Sequence, residues 1–206
     1  MSARCIQGSY AVEDVTFLLK PVALAPVAVD EKERRIQSGE AHYSEMISEE
    51  RRPDDRYMAI YRQALARHAV RIGREIAAVA EQLRQRIALG VLPGEVTLCS
   101  LVRAGIPYGV LLHRALRHLG VDSVHYGVSI IRDRGLDTVA MAHVCQTRDP
   151  GGVLFVDGWT GKGAIAGELR RAWQAMQGAE PTLVVLADPS GHASVSGSFE
   201  DWLIPS

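Results

Sequence analysis

The residues most able to do chemistry form one contiguous stretch, Val153-Leu154-Phe155-Val156-Asp157-Gly158-Trp159-Thr160-Gly161-Lys162-Gly163-Ala164-Ile165. Four apolar residues read as a buried strand with an acid at its tip, followed by a Gly/Thr-rich turn and the start of a helix. Backbone N–H groups at such a turn and at a helix N-terminus cradle a phosphate, to which Thr160 adds a hydroxyl and Lys162 a positive charge. Asp157 faces the same place and suits sugar hydroxyls or a divalent metal held through water. Only three of the 23 basic residues are lysines (Lys20, Lys32 and Lys162), which favours a selected role for Lys162. The spacing matches neither familiar phosphate fingerprint. Two residues separate Gly158 from Gly161 where a P-loop has four, and Gly161, Gly163 and Gly167 give GxGxxxG instead of GxGxxG. A plain strand-to-helix turn with a surface lysine is the bland alternative.

Two further loops follow predicted strands. In Cys99-Ser100-Leu101-Val102-Arg103-Ala104-Gly105-Ile106-Pro107, the small Ala104 and Gly105 let a guanidinium and bare amides approach an anion together. An exposed arginine at a turn is also simply solvated. In Ile131-Arg132-Asp133-Arg134-Gly135-Leu136-Asp137, the charges read as a solvated face, and the length and glycine suit a mobile lid.

The elements that position these loops are legible from periodicity. Short apolar runs at 96–101, 124–131, 153–156 and 183–187 alternate with helical patterns at 108–119, 138–146 and 164–176. Such alternation indicates βαβ units and a parallel sheet buried on both faces, whose ligands bind beyond the carboxyl ends of the strands. Tyr57, Ile60, Tyr61, Leu65, Ile72, Ile76, Val79, Leu83 and Ile87 recur at helical spacing, predicting a long helix from an Asp cap near Asp54 to Gly90. Before it, Ser9 caps a predicted short helix through Lys20, then come an apolar run at 21–29 and a mixed-charge segment at 30–56. We divide the chain into an N-terminal helical and loop extension packed on the core, residues 1–53, and an α/β domain, residues 54–206.

Composition narrows the class. The 206 residues are 47% hydrophobic and 23% charged, enough for one sizeable core, and the net charge of −1 supplies no field for nucleic acid or anionic membrane. Three cysteines, Cys5, Cys99 and Cys145, without CxxC spacing, argue against a disulfide framework and a tetrahedral zinc site. No apolar stretch is long enough to span a bilayer and no basic leader precedes one, so a cytoplasmic protein without membrane partners is expected.

The acid-tipped strand entering Thr-Gly-x-Gly, with an earlier strand entering Arg-Ala-Gly, resembles the ribose-5-phosphate and pyrophosphate loops of type I phosphoribosyltransferases. More closely, Glu13-Asp14-Val15-Thr16-Phe17-Leu18-Leu19-Lys20, His42-Tyr43-Ser44-Glu45-Met46, Ser129-Ile130-Ile131-Arg132, residues 155–165 and Leu186-Ala187-Asp188-Pro189 resemble the phosphoribosyltransferase-like proteins encoded with tellurium-resistance (Ter) stress systems. That family also carries the label cysteine protease StiP. The resemblance covers nearly the whole chain and implies a parallel-sheet type I phosphoribosyltransferase-like core with an N-terminal helical extension.

It further implies that Asp157 holds the ribose hydroxyls of phosphoribosyl pyrophosphate (PRPP), that Gly158, Thr160, Gly161, Lys162 and Gly163 form the 5-phosphate loop, and that Val102, Arg103, Ala104 and Gly105 hold the pyrophosphate. Arg103 and Asp157 become the catalytic candidates. Mg²⁺ bridges pyrophosphate and ribose, held by Asp157 through water or ligand. Arg132, Asp133 and Arg134 are the flexible loop, while His42, Tyr43 and Asp188 are candidates for gripping a nucleobase-like acceptor, a helix edge and a surface turn being the alternative. The family pattern usually has two adjacent acids at the strand tip, and here the second is Gly158. Relatives extend beyond the point matching Ser206, which suggests a short or truncated member. The expected function is therefore transfer of ribosyl phosphate from PRPP. Its rivals are a non-catalytic nucleotide-binding regulator, which Gly158 favours, and the thiol protease of the label. None of the seven histidines has protease-like spacing to a cysteine, and Cys99 lies in a predicted buried strand. The acceptor and the oligomeric state, a homodimer among the options, stay open.

Overall fold

The computed structural model describes residues 8–202, and the chain divides into two compact units, residues 20–69 and residues 1–19 with 70–206. The smaller unit contains α1 (Val29–Gln37), a single 3₁₀ turn at Tyr43–Glu45 and the start of α2 (Asp55–Ala88). Asp54 caps α2 by accepting the Tyr57 N–H at 2.7 Å, as its position in the sequence predicts. His42 caps the 3₁₀ turn, its ring Nδ1 2.8 Å from the Ser44 hydroxyl while Glu45 accepts the His42 N–H.

The larger unit is built on six strands: β1 (Thr16–Phe17), β2 (Glu95–Leu101), β3 (Asp122–Val128), β6 (Val153–Trp159), β7 (Thr182–Ala187) and β8 (Val195–Ser198). All five pairings are parallel, in the order β1-β3-β2-β6-β7-β8. Between β2 and β3 runs α3 (Gly105–His118). A hairpin of β4 (Ile130–Ile131) and β5 (Gly135–Leu136), then α4 (Thr138–Thr147), leads to β6, and α5 (Ala164–Gln177) joins β6 to β7. From β2 the chain steps to β3 on one side, and from β6 it steps to β7 and β8 on the other, so the direction of winding reverses between β2 and β6. In a parallel α/β sheet that reversal opens a crevice at the carboxyl ends.

Both sheet faces are covered, which is why the central strands read as continuous apolar runs. On one face Leu98, Leu154, Val184 and Leu186 pack with Ile76, Val79 and Leu83 of α2 and Leu112 and Leu116 of α3. On the other, Cys99, Phe155 and Val185 pack with Met141 and Val144 of α4 and Leu169 and Trp173 of α5, Trp173 lying edge-on to Phe155 at 5.0 Å.

The structure corrects two sequence expectations and adds one strand that the sequence reading did not include. No helix forms between Ser9 and Lys20; Thr16 and Phe17 instead add a strand beside Tyr126 and Gly127. The polar groups of that segment find tertiary partners: His113 and His125 bond the Glu13 and Asp14 carbonyls at 3.2 and 2.7 Å, and Arg114 clasps the Asp14 carboxylate at 2.7 and 2.6 Å. The run at 124–131 is two strands, because the chain turns at Ser129 and Ile130 pairs with Leu136. Finally, Val195–Ser198 is an edge strand with no apolar signature. Gln82 and Arg86 of α2 donate to the Ser196 and Ser194 carbonyls beside it.

Candidate functional site

At the reversal point, a cleft of about 550 Å³ is lined by Leu101 at the end of β2, Ala104 in the turn that follows, and Asp157 through Ala166 from the end of β6 into α5. Tyr108 and Arg132 also face it. Of the turn predicted after β2, Ala104 reaches this cavity beside the turn after β6, while Val102, Arg103 and Gly105 are not among its lining residues. The two turns approach closely because residue 105 is glycine: a Cβ there would lie 2.2 Å from the Val156 carbonyl oxygen, so no other residue lets the start of α3 cross β6. Arg103 is exposed in the turn between β2 and α3, after a cis Val102–Arg103 peptide bond.

Strand β6 continues to Trp159, which pairs with Ala187, so the turn begins at Thr160, later than the glycine at 158 suggests. Asp157 is half-buried, its Oδ1 accepting the Gly158 N–H at 2.8 Å. Burial pushes its carboxyl up to about 6, and the Gly158 bond opposes this only in part. Gly158 itself is buried against the ring of Tyr108, which would stand 2.6 Å from a Cβ at that position. An aromatic ring thus occupies the space into which a second acid would project. Burial and the nearby Asp157 carboxyl push the Tyr108 hydroxyl above its ordinary range.

The Thr160 hydroxyl, read from the sequence as a phosphate donor, donates to the Asp188 carboxylate and accepts from Ser190 at 2.9 Å. Its N–H bonds the Ala187 carbonyl at 3.1 Å. Asp188, buried at the end of β7, also accepts the His192 and Ala193 N–H groups at 3.0 and 2.9 Å. Burial acts to raise the Asp188 carboxyl, but those hydrogen bonds together hold it below the usual carboxylate range. Its oxygens are engaged in tying the β6 and β7 turns together. The remaining two acceptor candidates, His42 and Tyr43, belong to the 20–69 unit.

What the turn offers an anion is largely backbone. Gly163 precedes α5 at φ +79° with the His192 ring against it, a conformation and a space that suit only glycine. The first intrahelical bond runs from the Gly167 N–H to the Gly163 carbonyl, so the N–H groups of Ala164, Ile165 and Ala166 precede it and face the cleft end of the helix. Lys162 and Arg132 bring side-chain charge to the same cavity. The exposed Trp159 folds its ring over Gly161 and donates its indole N–H to Asp201 at 3.1 Å. Tyr108, Trp159 and His192 were not singled out from the sequence. The glycines at 158, 161 and 163 were the available signal, since each marks a close neighbour without naming it.

As to metal, the strand tip provides one carboxylate, and among the described residues no group of three or more His, Cys, Asp or Glu could hold an ion. A single carboxylate fits Mg²⁺ only in its substrate-borne form, where phosphates and water supply the other ligands. Neither described cysteine resembles an activated thiol: Cys99 is fully buried and Cys145 half-buried, and burial pushes both thiols up. Cys5 lies outside the described residues.

The model of the family described as "Tellurite-like stress resistance cysteine protease StiP" matches residues 8–206. The chain belongs to the StiP family. The protein named cysteine protease StiP from Acinetobacter baylyi is 46% identical over 202 residues, 97% of this chain and 51% of that protein. The chain thus spans about half the length of its curated relative. Among solved structures, the hypoxanthine phosphoribosyltransferase of Trypanosoma cruzi in complex with the product IMP is similar with a TM-score of 0.50 and 19% identity, over 61% of this chain and 70% of that one. A variant of that enzyme complexed with IMP gives 0.50 and 20%, over 62% and 66%. At such identity the likeness is one of fold, and this StiP-family chain has a type I phosphoribosyltransferase-like core. Among the described residues no helix is long and apolar enough to cross a membrane.

Proposed function

We propose that the cleft binds PRPP or a related ribose phosphate and transfers its ribosyl phosphate to a nucleobase-like acceptor, within the stress-resistance setting the family description names. The observation that supports this best is the meeting, in one cavity at the strand-order reversal, of the glycine-rich turn after β6 with Leu101 and Ala104 from the end of β2 and the turn that follows it. In this reading the N–H groups at the start of α5 and Lys162 hold the 5-phosphate, and Asp157 accepts hydrogen bonds from the ribose hydroxyls. Arg103 and the amides of the turn after β2 face the pyrophosphate, whose bond to the anomeric carbon breaks as the acceptor nitrogen forms its own and releases its proton to water. Catalysis is then positioning and charge stabilisation at the leaving group. Mg²⁺, held by Asp157 through water or ligand, neutralises pyrophosphate charge when bound.

One observation favours a second reading, a regulator that binds the same ligand without turnover: the Tyr108 ring fills the room for a second acid beside Asp157. The relative's protease name calls for a thiolate, and the burial of Cys99 and Cys145 gives it no support within the described residues. Calorimetric titration with PRPP, with and without Mg²⁺, followed by assay of pyrophosphate release with a panel of nucleobases, separates the readings. Binding with release supports the transferase, binding without release the regulator, and absence of binding removes both. Lys162→Ala should weaken PRPP binding by at least about tenfold with an unchanged Tm, the size of a charge-assisted hydrogen bond.

A further inference from the structure

The segment read from the sequence as a lid is a folded hairpin. Ile130 pairs with Leu136 and Ile131 with Gly135, and the Arg134 N–H closes the turn on the Ile131 carbonyl at 3.0 Å. Leu136 is buried in the cluster that contains Leu169 and Ala166 of α5, so the hairpin lies on that helix. Its tip meets one buried acid. Glu168, 8% exposed and on the second turn of α5, accepts the Asp133 N–H through Oε1 at 3.3 Å. Asp133 stands at φ +65°, the left-handed region, and is the only non-glycine residue there among the described residues. A backbone in that region is costly for an L residue, and an acceptor on its N–H helps to hold it. Arg171 bonds the same carboxylate oxygen.

Arg132, next to that anchored amide, lines the cleft with Lys162. Helix α5 therefore has two connections to one cavity: its first-turn N–H groups open onto it, and one turn later Glu168 grips the hairpin carrying an arginine to it. We propose that Glu168 is a positioning residue that sets the hairpin tip so that Arg132 faces the phosphates of the bound ligand. This rests on the reading of the cleft as a ribose-phosphate site.

The test is a double-variant cycle read by calorimetric titration with PRPP. Arg132→Ala should weaken binding by about tenfold or more. Glu168→Met, which keeps the buried volume and removes the acceptor, should weaken it by about three- to tenfold. Glu168→Gln, whose amide oxygen still accepts the Asp133 N–H, should restore most of that loss. Combining Glu168→Met with Arg132→Ala should add less than about twofold to the Arg132→Ala effect, since the anchor has then lost its arginine. Wild-type protein supplies an independent readout by amide exchange, in which the Asp133 N–H should be protected and more so with PRPP. Multiplying losses, an unchanged affinity in Glu168→Met, or a fast-exchanging Asp133 amide overturns the positioning role while leaving the cleft reading intact. Wild type that binds neither PRPP nor ribose 5-phosphate overturns both.

Discussion

Asp157→Asn exchanges a half-buried carboxylate for a neutral amide of the same shape, whose oxygen can still accept the Gly158 N–H. Burial raises the native carboxyl from 3.8 to about 6, the Gly158 bond counteracting it in part. Between these values the folded protein keeps a proton that the unfolded chain has released. Stability therefore falls as pH rises from about 4 to about 6, and the full cost of the buried charge is present above 6. The difference in proton affinity sets an upper bound of about 3 kcal/mol, which partial exposure reduces to about 1–2 kcal/mol. The variant should melt about 2–8 °C above wild type near pH 8, with the gap closing near pH 4. Its affinity for PRPP should fall by about tenfold or more, because an amide accepts the ribose hydroxyls more weakly than a carboxylate. Scanning calorimetry at both pH values, with a PRPP titration near pH 8, measures the two effects. A Tm that drops at both pH values, or a gain that does not change with pH, would refute the reasoning.

Gly105→Ala should lower Tm by several degrees and abolish ligand binding, since the new Cβ meets backbone at Val156 that cannot yield; an unchanged Tm and affinity would contradict the close crossing. Native protein treated with iodoacetamide and mapped by peptide mass should show Cys99 unmodified until denaturant is added, because burial keeps its thiol protonated. Desolvation holds the buried His125 ring down to about 4, against the pull of the Asp14 carbonyl, so it stays neutral while an unfolded chain takes up a proton below 6.5. That group should remove up to about 3 kcal/mol of stability as pH falls from 6.5 to about 4, and His125→Gln should flatten this stretch of a urea-melt pH profile.

Much of the fold was legible because its signals are local. The apolar runs before Ser100 and Asp157 are continuous because both faces of a central parallel strand are covered, and the helices between them carry their own 3.6-residue period. The turn after β6 was legible for the same reason: strand, acid, glycines, lysine and helix start are contiguous, and carboxyl-end placement follows from parallel topology. The rest depends on neighbours distant in the chain. Thr16 and Phe17 are a strand only because β3 offers an open edge and His113, His125 and Arg114 receive the residues before them. The Ser-rich β8 is a strand because β7 templates it. At the site, the sequence determined that Asp157 stands alone, with glycine beside it. Only the tertiary structure decided that Tyr108 fills the vacated space, that Asp188 binds the Thr160 hydroxyl, and that Glu168 holds the arginine-bearing hairpin. Local pattern records what each residue is able to do, whereas packing across the sheet decides which partner each group meets.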